Sequence, residues 1–134
     1  MTVLTMGKAD EGFLMSEENA GRSREVIDLK AGSAYEAGSV LLAEYEESVA
    51  ESGNFDTATG VYVLATNALV TAYDTLDAVV LARAVDATDA SEKGVVIARD
   101  AQVKDTELVL GASTTVANVT AALKANGIIV RAAI

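Results

Sequence analysis

Apolar residues occur in short runs along most of the chain, and polar or glycine-containing segments separate these runs. The runs are rich in β-branched residues, which is typical of strands. Strands are predicted at residues 26–29, 40–43, 61–65, 78–85 and 95–99, with a shorter one at 108–110. Turn-forming residues at 86–93 predict a hairpin-like pairing of the two strands that flank them. An acidic connection is predicted at 44–56.

One stretch, "STTVANVTAALKANG" at residues 113–127, predicts a helix. Val116, Val119 and Leu123 follow a helical spacing, and Ser113 or Thr114 is available as the N-cap. The closing Asn-Gly pair stops the helix, and the following "IIVRAAI" predicts a terminal strand. The fold class predicted from these patterns is mainly β (α+β), a compact domain with one C-terminal helix.

The first 24 residues show no sustained period of a strand or of a helix. They contain the apolar run Phe13, Leu14 and Met15, and the polar segment "SEENAGRSRE" follows it. Because no core is evident for this segment to join, we predict a flexible N-terminal arm at 1–24 and a single β-rich domain at 25–134. An apolar run in such an arm favours binding to another protein over a frayed terminus.

The composition limits the available chemistry. The chain has no cysteine and no histidine, which excludes disulfides, thiolate metal sites and catalysis by a histidine base. With four tyrosines, two phenylalanines and no tryptophan, the core must be mostly aliphatic. No apolar run is long enough to span a membrane and no signal-peptide pattern is present, so we expect a soluble, non-secreted protein. We expect no cofactor and no metal.

The net charge of −10 is unevenly distributed. Residues 1–60 carry 12 acidic and 4 basic residues, whereas residues 61–134 carry 8 acidic and 6 basic ones. Because an acidic surface repels phosphate backbones, nucleic acid is not an expected partner.

Carboxylates are the main groups left for catalysis or metal binding. Asp86, Asp89 and Glu92 supply oxygen ligands for calcium, but the D-x-D-x-D-G order of a calcium loop is missing. Further acidic residues provide candidate carboxylate pairs for glycoside hydrolysis: Glu44, Glu46, Glu47, Asp74 and Asp77. An exposed acidic face explains both sets more simply. A small carboxylate-dependent hydrolase is the alternative to a non-enzymatic protein.

The run "GFLMSEENAGRSREVIDLKAGSAYEAGSVLL" resembles the front of the bacteriophage head decoration proteins, the family related to the lambda head decoration protein. Its members show an apolar pair, then Ser-Glu, a glycine, Ser-Arg-Glu, a short strand and an Ala-Gly-x-Val-Leu-like segment. The same order occurs here at 13–14, 16–17, 21, 23–25, 26–29 and 37–41. The segments at 71–103 and 122–131 resemble the central strands and closing segment of the family, so the likeness covers roughly residues 12–131.

The resemblance implies a non-enzymatic structural protein of the virion with a β-clip-type fold. Such a protein sits on the outer surface of the expanded capsid as a homotrimer at three-fold and quasi-three-fold positions. Its expected partners are the major capsid protein and further copies of itself, without nucleic acid or a membrane. A tail or fibre subunit is a further alternative.

The capsid-binding arm is expected to add a strand to an exposed edge of a capsid subunit. Its apolar residues would be the anchors, and its polar and charged residues would make the remaining contacts. The residues assigned to this site are Phe13, Leu14, Met15, Ser16, Glu17, Arg22, Ser23, Arg24 and Glu25.

Overall fold

The computed structural model describes residues 12–18, 20–51, 53–73 and 75–132. In chain order its strands are β1 (Leu14–Glu17), β2 (Arg24–Leu29), β3 (Ser33–Tyr35), β4 (Val40–Glu47), β5 (Phe55–Leu64), β6 (Ala78–Leu81), β7 (Val85–Ala87), β8 (Glu92–Ile97), β9 (Ala101–Lys104) and β10 (Ile128–Arg131). The helices are α1 (Ala20–Ser23), α2 (Asn67–Ala72) and α3 (Val116–Ala125), and Asp105–Glu107 forms a 3₁₀ turn. The fold is mainly β, as the sequence predicts.

Five strands close into a small barrel in the order β2-β5-β4-β6-β8. Strand β4 pairs antiparallel with β5 on one side and with β6 on the other. Successive residues of β4 and β6 point to opposite faces, yet Val40, Leu41, Val79 and Val80 are all buried. These two strands are therefore covered on both faces, which explains their continuous apolar runs.

A second sheet of three strands, in the order β1-β9-β10, lies beside the barrel. Its central strand β9 pairs antiparallel with β1 and parallel with β10. Helix α3 packs on this region through the buried side chains of Val119 and Leu123. The main core therefore lies between one face of the barrel strands, α3 and the inner face of the second sheet.

A smaller core contains the alternate residues of the barrel strands, including Leu29, Leu41, Leu81 and Val96. A two-stranded pair of β3 and β7 covers it, and Tyr35 of β3 belongs to the same cluster. The Tyr35 hydroxyl donates a hydrogen bond of 2.8 Å to the carbonyl of Lys30, so its polar end is satisfied.

Most of the predicted strands are confirmed. Strands β2, β4, β5, β6 and β8 overlap the predictions, and β6 pairs antiparallel with β8 as the flanking turn residues indicate. The acidic connection predicted at 44–56 is wrong at both ends, because β4 continues to Glu47 and β5 begins at Phe55. The predicted strand at 78–85 is interrupted after Leu81, and β7 pairs with β3 instead.

The C-terminal helix and the strand after it are also confirmed. Helix α3 begins after Thr115, one residue beyond the predicted N-cap, and the Thr115 side chain makes no capping hydrogen bond. Gly127 follows the helix with φ of 80°, a conformation that favours glycine. Residues 108–110 contribute only an isolated bridge between Val109 and Ser39. Strand β9 and the short helices α1 and α2 are not predicted.

Within the ranges that the structure describes, no helix is long and apolar enough to cross a membrane.

Candidate functional site

Strand β1 forms one edge of the second sheet. It is bound at both ends, because the Lys104 amide donates to the carbonyl of Phe13 at 2.7 Å and the Glu18 amide donates to the carbonyl of Asp100 at 2.9 Å. Its other side is not paired with any strand of the described residues. Among the residues that the structure describes, the strand therefore has one unpaired edge.

Phe13 is anchored in the main core and is only 1% exposed. Its ring lies close to Gly38, where an added Cβ would come within 3.4 Å of Phe13 Cδ1 and 2.6 Å of the Glu107 carbonyl oxygen. The expectation that this segment has no core to join is wrong for Phe13, because the partner surface is formed by distant parts of the chain. Residues 1–11 of the predicted arm lie outside the described residues, and the boundary at residue 24 stays a prediction.

The other apolar residues of the segment are less buried. Leu14 is half-buried and packs against the edge of the main core, whereas Met15 is 43% exposed. The register with β9 shifts between Leu14 and Ser16, so Met15 lies at an irregularity of the strand. Met15 and Ser16 are thus the accessible side chains of β1.

Glu17 joins the end of β1 to the start of β2. Its carboxylate accepts hydrogen bonds from Arg24 Nη2 at 2.6 Å and from Arg24 Nε at 3.2 Å, and the Ser23 hydroxyl also donates to it. Both charged side chains are less than one-fifth exposed. The hydrogen bonds from Arg24 hold the pKa of the Glu17 carboxyl below its ordinary value, although partial burial opposes this shift.

Arg99 contacts two further residues of the candidate site, Arg22 and Glu25. Its guanidinium donates to the carbonyl of Arg22 and to the carboxylate of Glu25. The carbonyl of the buried Ser23 accepts a bond of 2.7 Å from the Ala98 amide. Ser23 is therefore a structural residue, whereas the side chains of Arg22 and Glu25 remain exposed.

An open groove of about 400 Å³ lies next to β1. Its lining is mostly polar and includes Ser16, Glu18, Asp100 and Gln102, with Ile129 as an apolar contact. The groove can accept hydrogen bonds and positive charge along the sheet surface. Sequence reasoning missed Gln102 of β9 and Asp100 just before it, because β9 has no continuous apolar run that would predict a strand.

The alternative carboxylate sites have structural contacts instead. Glu44 forms an ion pair with Lys30 at 2.7 Å. The Asp77 carboxylate accepts hydrogen bonds from the Tyr62 hydroxyl and from the Asn126 amide. Asp86 caps its own turn by accepting from the Thr88 amide at 3.0 Å.

Within the described residues no group of three acidic side chains is placed to hold a metal ion, so the candidate calcium site is not assembled there. Asp74 lies outside the described residues.

The β-rich fold, the anchored edge strand and its exposed Met15 define a structural module with a surface suited to protein assembly. The profile of the family "Bacteriophage lambda head decoration protein D" matches residues 3–129. The chain belongs to this family, which confirms the resemblance found in the sequence. It is a structural protein of the virion that decorates the exterior of the phage capsid. No match was found among curated proteins or among solved structures.

Proposed function

We propose that this protein stabilises the expanded phage head as a non-enzymatic homotrimer at three-fold and quasi-three-fold positions. The major capsid protein is the proposed partner, and the N-terminal segment is the proposed site of contact. The observation that carries the proposal is the edge of β1 that pairs with no strand of the described residues, whereas its other edge pairs with β9.

The sequence predicts Phe13 as an apolar anchor on the capsid protein. In this proposal it anchors β1 to its own domain instead. Its ring fixes β1 to the core, so that the strand is ordered before it meets the capsid. Ordering a backbone costs about 1–2 kcal/mol per residue, and a pre-ordered strand avoids much of that cost on binding. The capsid contacts then come from Met15, Ser16 and the exposed Arg22, whereas Leu14 packs against the main core.

Glu17, Ser23 and Arg24 support the site by holding β1 against the start of β2, and Glu25 pairs with Arg99 beside it. A capsid strand pairing with β1 would extend the β1-β9-β10 sheet across the boundary between the two proteins. Three such contacts on one trimer would raise the avidity by about 10²–10⁴ over one contact. Completion of the capsid edge only after head expansion would restrict binding to mature heads.

Co-sedimentation with expanded and unexpanded heads tests this function. Full-length protein is expected to bind expanded heads saturably and to leave unexpanded heads unbound. Met15→Lys is expected to weaken binding about 10-fold or more, because it places a charge at the apolar contact, whereas the control Met15→Leu retains it. A form lacking residues 1–11 tests whether β1 suffices without the preceding residues.

Deletion of residues 1–24 is a poorer test, because it also removes Phe13 from the core. Absence of binding to either kind of head would contradict the proposed function. If Met15→Lys binds heads as tightly as the parent protein does, capsid binding stands as the function but Met15 is not part of the contact.

A further inference from the structure

Strands β4 and β5 continue beyond the barrel as a projecting hairpin, which the structure describes at residues 44–51 and 53–60. Strand β4 pairs with β6 only from Val40 to Leu42, whereas its pairing with β5 extends to Glu47 and Phe55. On the other side, β5 meets β2 at a single residue pair. Within the described residues both outer edges of the hairpin are therefore largely unpaired.

The base of this hairpin is firmly held. The Tyr73 hydroxyl donates to the Tyr45 carbonyl at 3.3 Å and accepts from the Tyr45 amide at 3.1 Å. The Tyr73 ring also contacts Tyr45 and Phe55, with ring centroids 5.5 and 5.3 Å apart. The base of the hairpin is thus fixed to the domain by Tyr73.

The hairpin is strongly acidic. Residues 44–60 contain five acidic residues and no lysine or arginine. Lys30 neutralises Glu44 at its base, but Glu46, Glu51 and Asp56 are exposed further out. Val49, next to the turn, is fully exposed and adds an apolar contact point. A complementary surface must therefore be basic.

Such a surface occurs on the same chain at one end of the second sheet. Lys104 of β9 and Arg131 of β10 are register partners, and neither forms an ion pair within the described ranges. Arg131 Nε donates to the neutral Gln102 Oε1 at 3.2 Å. The acidic residues Glu18 and Asp100 lie at the opposite end of this sheet, next to Ala101, whereas Asp105 and Glu107 follow Lys104 in the 3₁₀ turn.

We propose that the acidic hairpin of one copy docks on the Lys104 and Arg131 surface of a second copy. The two surfaces differ, so the contact is head-to-tail, and three such contacts close a ring. This inference rests on the proposed homotrimer and assigns its subunit interface. Opposite charges would fix the register, and Val49 would add an apolar contact.

Charge reversal on each surface tests the interface in the full-length protein. The hairpin variant is E46K/D56K, and the basic-surface variant is K104E/R131E. Each is expected to weaken trimer formation about 10- to 100-fold in sedimentation equilibrium, because like charges then meet across the contact. The combined four-residue variant is expected to regain trimer formation. The control D89K/E92K changes the net charge as E46K/D56K does, but at two exposed positions elsewhere, one in a loop and one at the start of β8, and is expected to leave the trimer unchanged.

Circular dichroism of every variant separates a lost interface from a lost fold. A trimeric parent protein whose assembly is unaffected by both reversals would overturn this interface while the proposed trimer stands. Loss of trimer in both variants without recovery in the combined variant would also overturn it. A parent protein that is monomeric at all concentrations and on heads would instead contradict the homotrimer itself.

If the reversals impair binding to heads but leave the trimer intact, the hairpin contacts the capsid and the proposed contact between copies is wrong. Measuring assembly and head binding on the same variants therefore distinguishes failure of this interface from failure of the proposed function.

Discussion

Glu17 and Arg24 form a bidentate ion pair that connects the edge strand β1 to the first strand of the barrel. The pair spans the α1 turn and is supported by the Ser23 hydroxyl. It links the surface proposed for capsid binding to the body of the domain. The order of β1 is thus coupled to a contact that titrates with acid.

Replacement of Glu17 by Gln is expected to destabilise the domain by about 1 kcal/mol at neutral pH, because a charge-assisted contact is lost. The pKa of Glu17 is lowered in the folded protein, mainly by hydrogen bonding to Arg24. Its contribution is therefore complete above the ordinary pKa of 4.5 and is lost as the pH falls through the lower folded-state pKa. Urea unfolding of both proteins between neutral pH and pH of about 3 measures this difference. A difference that grows on acidification would contradict the ion pair.

Phe13→Ala is expected to lower the free energy of unfolding by about 3–5 kcal/mol, because it leaves a cavity in the main core. Met15→Ala, two residues along the same segment, is expected to change it by less than about 0.5 kcal/mol, because Met15 is exposed. Chemical denaturation of the two variants measures both values. Equal stability of Phe13→Ala and the parent protein would show that the segment is not part of the folded domain.

A comparison of the barrel strands with Phe13 shows what the sequence could and could not predict. The continuous apolar runs at the start of β4, along β6 and at the end of β8 predict strands, because consecutive apolar residues are typical of strands covered on both faces. Phe13 gives no comparable signal, because its contacts come from residues far along the chain. Pairing over such distances depends on the tertiary fold rather than on a local period.

The same limit applies to strand β9, whose sequence "AQVK" alternates apolar with polar residues over only four positions and has no continuous apolar run. It becomes the central strand of its sheet because β1 and β10 pair with it. The ion pair between Glu17 and Arg24 was likewise not predictable as such, although both residues were assigned to the candidate site. The family resemblance identified the segment, and the structure distinguishes its anchoring residues from its exposed ones.

Gly38→Ala is expected to be more destabilising than Gly53→Ala. Both glycines have φ of 86°, so both substitutions strain the backbone. At Gly38 the new Cβ would also meet the Glu107 carbonyl at 2.6 Å, whereas at Gly53 nothing lies within 4 Å. The additional loss at Gly38 is expected to be about 1–3 kcal/mol in thermal or urea unfolding. Equal losses at both positions would contradict the close packing beside Phe13.

Asn126→Ala is expected to destabilise the domain by about 1–3 kcal/mol. The Asn126 amide donates to Asp77 Oδ1 at 2.9 Å and to the Ala78 carbonyl at 2.8 Å, so it ties the end of α3 to the start of β6. The matched control Asn118→Ala replaces an exposed asparagine of the same helix and is expected to be nearly neutral. Denaturation midpoints of the two variants measure the difference. Equal midpoints would show that the hydrogen bonds of Asn126 to Asp77 and Ala78 do not stabilise the domain.

Tyr62 is expected to destabilise the folded state at high pH. Burial, together with the nearby Asp77 carboxylate, raises its pKa from 10.0 to about 12. Between these values the unfolded chain loses the phenolic proton more readily, so stability falls as the pH rises. Ultraviolet titration is expected to show a phenol ionising near pH 12 that is absent in Tyr62→Phe. Ionisation of all four tyrosines near their ordinary pKa would contradict this environment.

Cryo-electron microscopy of expanded heads saturated with the full-length protein tests capsid decoration through β1 most directly. The expected map shows three-lobed density on the outer surface at three-fold and quasi-three-fold positions. In each lobe the open edge of β1 is expected to lie beside a strand of the major capsid protein, with Met15 at the contact. Density at these positions with β1 facing away from the capsid would contradict the assigned contact. Heads that remain bare at saturating concentrations would contradict decoration itself.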